Sequence, residues 1–217
     1  MNNTPPVVRN LIIFNAVIML LAWIKPDFMY STFSLFYIES PFFKPYQFFT
    51  HIFMHGNFVH ILFNMYTLWL FGSVLASIWG EKKFLFYFLV TGLGAAALHT
   101  FVQYLEVQQL VSAINEGDAL AKAKLSVLMR TPTVGASGAV YGLLLAFGML
   151  FPNNVLQFIF PPVAIKAKWM VIILGAIALV MGITGSKSNI AHFAHLGGML
   201  FGYLLILYWK KKGKLYY

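Results

Sequence analysis

The stretch Val134-Gly135-Ala136-Ser137-Gly138-Ala139-Val140-Tyr141-Gly142-Leu143-Leu144-Leu145-Ala146-Phe147-Gly148 decides how this chain is read. It carries no charge and is apolar enough for a membrane, yet it opens on a serine set among glycines and alanines. Polar groups inside a span are costly, so each one marks function by default. A serine hydroxyl is a weak nucleophile and needs an adjacent base. The stretch holds no histidine and no carboxylate, so any base must come from another part of the chain.

Composition says what surrounds the stretch. Of 217 residues 60% are hydrophobic and only 10% charged, with a mean hydropathy of +0.76. A soluble domain carries about 25% charged residues, and this chain has too few to cover a water-facing surface. An ordinary soluble domain, a disordered chain and a nucleic-acid-binding module are thereby excluded. The formal net charge of +9 has its simplest source in lysines held on the cytoplasmic side of a bilayer. Cysteine is absent, so there is no disulfide, no thiolate metal site and no catalytic thiol.

A helix needs about 20 mostly apolar residues to cross about 30 Å of hydrocarbon. Six stretches qualify: roughly 8–24, 58–79, 84–105, 135–151, 169–184 and 190–209. The expectation is an all-α, polytopic membrane protein of six transmembrane helices, a single domain over 1–217. An aromatic-rich connection, 25–57, joins the first two spans. A second long one, 106–134, carries Glu116, Asp118, Lys122, Lys124 and Arg130. The opening Met1-Asn2-Asn3-Thr4-Pro5-Pro6 lacks a small-residue cleavage site, so the first run is expected to be a retained span. Lys210-Lys211-Lys212-Gly213-Lys214 reads as a stop-transfer cluster.

Orientation follows from the cations. An N-terminus inside puts Arg9, Lys82, Lys83, Lys166, Lys168, Lys210, Lys211, Lys212 and Lys214 inside against Glu81 alone. The outside then holds Lys25, Lys44, Lys122, Lys124, Arg130 and Lys187 against Asp27, Glu39, Glu106, Glu116 and Asp118. Both termini are therefore expected to be cytoplasmic.

Four polar places then share the outer half of the membrane. His60 and Asn64 lie four apart on span two and face the same way. Ser137 starts span four, and His195 lies early in span six within Ala194-His195-Leu196-Gly197-Gly198. Histidine is the usual base because its pKa lies near working pH. No Asp or Glu falls within the six stretches, so the simplest catalytic unit is a Ser137–His195 dyad. Acyl transfer also needs donors for the oxyanion. Asn64, His60 and the backbone N–H of Ser137, in a helix's first turn, are the candidates. Gly138 with Gly142, and Gly198 with Gly202, have the small-xxx-small spacing that lets helices four and six approach closely. Tyr141, one turn below Ser137, is placed to hold the His195 ring.

These residues resemble a rhomboid-family intramembrane serine protease in its six-span bacterial form. The likeness rests on Gly135-Ala136-Ser137-Gly138, His60-xxx-Asn64 and Ala194-His195-Leu196-Gly197-Gly198, in the family's order on spans two, four and six. It covers about residues 46–202. It implies a six-helix bundle with a water-filled cavity opening extracytoplasmically, set in a bacterial inner membrane. Ser137 is then the nucleophile and His195 the general base. His60, Asn64 and the Ser137 N–H form the oxyanion hole, and Tyr141 supports His195. Substrates are single-span transmembrane proteins cut in or near the span, and no cofactor or metal is implied. The aromatic 42–53 stretch fits the family's first loop, which lies partly in the outer leaflet. Tyr46-Gln47 stands where many members carry Trp-Arg.

The remaining histidines have other readings. His51 and His55 are structural anchors of the loop, with a hydrogen-bonding role near the site left open. His192 is one turn from His195, and the family position favours the latter as base. His99 reads as a packed polar residue. Six histidines would also suit bis-histidine haem ligation, which explains neither Ser137 nor the glycines. A proteolytically inactive rhomboid-like factor that only binds membrane proteins is the closer alternative, but that class usually lacks the serine or the histidine.

Overall fold

A computed structural model describes residues 4–158, 163–184 and 189–215. Lys187, one of the expected extracytoplasmic cations, lies outside the described residues. The helices are α1 (Pro6–Ile24), α2 (Pro26–Phe33), α3 (Phe58–Trp79), α4 (Glu81–Asn115), α5 (Ala119–Arg130), α6 (Ser137–Leu150), α7 (Ala167–Ile183) and α8 (Asn189–Lys211). The described residues form a helical bundle. Among them four helices are long and apolar enough to cross a membrane: α1, α3, α4 and the His192–Lys211 part of α8. The shorter apolar helices α6 and α7 complete the bundle.

Local chemistry sets the ends. Pro6 stands in the first turn of α1, where its missing N–H costs nothing. Lys25-Pro26 breaks the chain into α2, which also opens on its proline. Asn57 caps α3 by accepting the His60 N–H at 2.8 Å. Gly80, at φ +76°, makes the left-handed turn into α4. Asp118 caps α5 through the N–H groups of Leu120 and Ala121. Along α1, Val8, Leu11, Asn15, Met19 and Ala22 are buried at helical spacing, while Ile13, Leu20, Trp23 and Ile24 face outward, the pattern of a lipid-facing helix. Buried Asn15 donates its amide N–H to the Leu11 carbonyl at 2.7 Å.

Two lengths differ from the expected stretches. The third stretch continues to Asn115, giving a 35-residue helix, about 50 Å long against about 30 Å of hydrocarbon. Much of the 106–134 connection is thus helical: the end of α4, then α5 folded back along it. In contrast, α6 has 14 residues, about 21 Å. It is too short to cross, so one end begins within the bilayer. Between α6 and α7 an antiparallel hairpin pairs Val155–Phe158 with Val163–Lys166, an element that the sequence pattern does not predict. Within α3, Leu68–Gly72 widens to π-helical turns.

The core is built on α4, α6 and α8. A Cβ on Gly198 of α8 would fall on the carbonyl of Gly138 in α6, so only glycine permits this contact. Gly142 and Gly202 also admit a third helix. Gly142 packs on Thr91 of α4, and Gly202 on Tyr87 and Thr91 of α4. Tyr87 donates its hydroxyl to the Gly142 carbonyl at 2.9 Å. The third span is therefore wedged against both glycine helices and holds them together.

The first connection is organised by a residue at which the family pattern is not kept. Gln47 is fully buried. Its Oε1 accepts from the N–H groups of Phe36 at 3.4 Å and Lys44 at 3.1 Å. Its Nε2 donates to the carbonyls of Thr32 at 3.2 Å and Phe42 at 3.1 Å. One amide thus satisfies four backbone groups and fixes the loop, while Tyr46 is largely exposed.

Two outcomes follow for stability. Gln47→Ala strands buried backbone groups and is expected to cost about 1–3 kcal/mol, read as a lower unfolding temperature in detergent. Gly198→Val must push α8 off α6 and is expected to cost at least about 1–3 kcal/mol. Wild-type unfolding temperatures for both variants would contradict these contacts.

Candidate active site

The segment that delivers Ser137 is held at three points. Leu35 and Thr133 exchange backbone hydrogen bonds at 2.9 and 2.8 Å. The Thr133 hydroxyl and His99 Nε2 of α4 are hydrogen-bonded at 2.7 Å. The Gly135 N–H donates to the His51 carbonyl at 3.0 Å. His99 is thus more than a packed polar residue: it ties the third span to the segment that leads into Ser137. Its partner lies 34 residues away, which no local pattern reveals.

Gly135 then turns the chain at φ +132°, a conformation side chains rarely adopt. A Cβ there would lie 2.8 Å from His60 Cε1, 2.9 Å from His60 Nε2 and 3.6 Å from Ser137 Oγ. The imidazole edge of His60 and the serine hydroxyl therefore face one small space over Gly135. Ser137 is the first residue of α6, and Ala136 before it supplies no side-chain cap. The first-turn N–H groups of α6 consequently face the site without a side-chain acceptor, an arrangement that favours negative charge.

His195 of α8 reaches this space from the other side. Its Nε2 lies 2.9 Å from Ser137 Oγ. Its ring stacks on Tyr141 with centroids 4.1 Å apart and an interplanar angle of 1°. Its Nδ1 has no hydrogen-bond partner among the described residues, so no carboxylate orients it. His192 meets the His195 ring edge-to-face at 6.0 Å. Asn64 is buried and donates one amide N–H to the His60 carbonyl at 3.0 Å, which leaves its second N–H to give.

The structure thus brings together Ser137, His195, Tyr141, Gly138 and Gly198, with His60 alongside and Asn64 one turn further along α3. Sequence reasoning missed Tyr87 and Thr91, which sit in an apolar run and look like bulk. A cavity of about 40 Å³ adjoins Ser137, lined among others by His51, Thr133, Gly135, Gly138 and Ala194. A water needs roughly 10–15 Å³ by such a measure and two or more polar partners. The cavity has room for a few waters, and His51, Thr133 and Ser137 offer the partners. Among the described residues no group of three or more His, Cys, Asp or Glu could hold a metal ion.

The geometry can be set beside known proteins. The rhomboid domain model matches residues 43–212. The mitochondrial presenilin-associated rhomboid-like protein of Bos taurus is 30% identical over 169 residues, covering 74% of this chain and 38% of that protein. Rhomboid protein 1, mitochondrial, of Saccharomyces cerevisiae is 28% identical over 153 residues, covering 70% and 38%. Rhomboid protease AarA of Providencia stuartii is 28% identical over 154 residues, covering 70% and 51%. The chain spans about two-fifths to one-half of the length of these curated relatives.

Burial gives the loop histidines a consequence for stability. It holds the His51 imidazole down from the ordinary 6.5 to about 4, and His55 likewise to about 4. In the unfolded chain these rings take up protons below about pH 6.5, while the folded protein resists until about pH 4. The unfolded state binds more protons across that window, so stability is full above it and falls as pH drops through it. The unfolding temperature is expected to be flat above about pH 6.5 and to decline towards about pH 4, less steeply in His51→Gln. A flat wild-type profile over that range would refute the neutral burial of both rings.

Proposed function

Because the chain belongs to the rhomboid family, we propose that it is an intramembrane serine endopeptidase that cleaves single-span membrane proteins in or near the span. The observation that carries this reading is the 2.9 Å approach of His195 Nε2 to Ser137 Oγ, with the imidazole stacked on Tyr141. In the proposed reaction the Ser137 hydroxyl donates to His195 Nε2 and attacks the scissile carbonyl. His195 accepts the proton and returns it to the leaving amine. The oxyanion is received by the Ser137 N–H, His60 Nε2–H and the second N–H of Asn64. One such donor is typically worth about 2.7–4 kcal/mol of barrier. Water from the cavity beside Ser137 then attacks the acyl-enzyme, with His195 again as base.

The stacked tyrosine answers the missing carboxylate. For Nε2 to accept from serine, the ring must carry its proton on Nδ1. In a triad an acid would hold that N–H and so fix the tautomer and the ring. Here the face of Tyr141 fixes the plane of the ring instead. Glycines at 138 and 198 set the distance, and Gly142 and Gly202 let α4 brace it.

The distribution of lysines supports a single membrane domain with both termini in the cytoplasm and a site opening on the other face. The resemblance to the six-span bacterial form supports a bacterial inner membrane, although the relatives are mitochondrial as well as bacterial. A purely binding, non-catalytic role is not favoured, since both members of the dyad are present and in contact.

The test is cleavage of a single-span substrate reconstituted in liposomes, together with labelling by a fluorophosphonate. Wild type is expected to cleave and to be labelled at Ser137. Ser137→Ala should abolish both, and His195→Ala should lower cleavage by at least about a thousandfold. Equal cleavage by all three proteins would overturn the proposal.

A further inference from the structure

One buried histidine beside the site has no part in the chemistry above. His55 lies in Met54-His55-Gly56-Asn57, the segment that enters α3. It is 1% exposed, and neither ring nitrogen has a hydrogen-bond partner among the described residues. A buried polar group left unpaired is costly, and a phenylalanine would fill the same space without that penalty. Its backbone is fixed, because its carbonyl accepts the Tyr30 hydroxyl at 2.7 Å. Neighbouring Met54 packs with Ala22 and Met29. The His55 ring stands edge-to-face against His60, with centroids 5.2 Å apart and an interplanar angle of 68°.

His60 is the residue for which a nitrogen nearby matters. Its Cε1–Nε2 edge lies over Gly135 on the side of Ser137 Oγ. A neutral imidazole has one N–H and one acceptor nitrogen, and the hydrogen bond made by one decides which carries the proton. To donate to an oxyanion from Nε2, His60 must keep Nδ1 unprotonated. The same ring meets His55 edge-to-face.

We propose that His55 is a positioning residue that sets the tautomer of His60, its ring N–H directed to His60 Nδ1 so that the His60 proton stays on Nε2. The inference rests on the oxyanion role proposed above for His60. No hydrogen bond joins the two rings in this structure, and catalytic hydrogen bonds of this kind tighten in the transition-state complex. The role explains why a polar ring, rather than an apolar one, occupies this buried place against His60. It also explains why its backbone is tied to α2.

The experiment compares His55→Phe, which keeps a ring and removes both nitrogens, with His55→Gln and His55→Asn, which return an amide N–H at different reach. Two quantities are read: kcat and KM on a single-span substrate, and the ring ¹⁵N signals of histidine-labelled protein in detergent, with His60→Gln assigning the His60 pair. His55→Phe is expected to lower kcat about tenfold with KM nearly unchanged, short of the roughly hundredfold or more lost when a donor is removed outright. One amide variant should recover most of that rate. The His60 signals should move from an Nε2–H pattern to a mixed one in His55→Phe. Unchanged kcat and unchanged His60 signals in His55→Phe would overturn the proposal. So would an equal loss of rate in all three variants with the His60 signals unmoved, which marks packing alone. The ¹⁵N signals do not depend on turnover. A wild type that neither cleaves nor labels would sink the protease reading, while the spectra still report whether His55 controls the His60 proton.

Discussion

The contact on which everything else depends is that of Gly198 with the carbonyl of Gly138. A serine side chain reaches only a short way from its backbone, so His195 can meet Ser137 only where α6 and α8 nearly touch. In a bilayer no hydrophobic force drives two helices together, since lipid tails are as apolar as leucine. Close packing of small residues and interhelical hydrogen bonds must do it. Both are present. Ala95 of α4 would meet any side chain at Gly138 or Gly197, Thr91 fills the hollow at Gly142, and Tyr87 joins the Gly142 carbonyl while standing against Gly202. The third span acts as a wedge that makes the α6–α8 contact rigid, and the dyad inherits that rigidity.

Depth is set by a second constraint, the length of α6. At 14 residues it cannot cross the hydrocarbon. The segment that leads into its Ser137 end, residues 131–136, is irregular. Non-helical backbone at membrane depth is tolerated only where it is buried in protein or lines a wet cavity. Residues 131–136 meet that condition. They are paired to Leu35, His51 and His99, and they border the cavity beside Ser137. The first connection, organised by Gln47, covers this segment. A loop that looks peripheral is thus part of what keeps Ser137 in place.

Much of this is legible in the sequence because polar residues stand out in an apolar chain. Ser137, His195, His60 and Asn64 can be picked from spacing and surroundings, and the glycine pairs announce close approach. What the sequence hides is the identity of the partners. Gly142 and Gly202 also pack on Thr91 and Tyr87 of α4, and an aromatic within a hydrophobic run looks like lipid-facing bulk. His99 and Thr133 are linked across the fold, so neither neighbourhood signals the bond. The last ten residues of α4, 106–115, and all of α5 give no span signal because Glu106, Lys122, Lys124 and Arg130 interrupt them. The hairpin at 155–166 is invisible for a related reason: two four-residue strands are too short to show a period between two long apolar stretches.

The dyad itself follows from the solvent. A carboxylate behind His195 would have to be ionised to orient the imidazole, and an ion placed within a span is expensive unless paired. A neutral serine and a neutral imidazole carry no such penalty. What they lack is an orienting partner, and the parallel face of Tyr141, at 4.1 Å from the His195 ring, provides one without charge. The stack fixes the ring's plane but leaves Nδ1 without an acceptor among the described residues. The positions of the two side chains are therefore set by packed glycines and rings and not by a buried acid. Their precision rests on helix spacing, which is why the Gly138–Gly198 contact and its brace on α4 matter as much as Ser137 and His195 themselves.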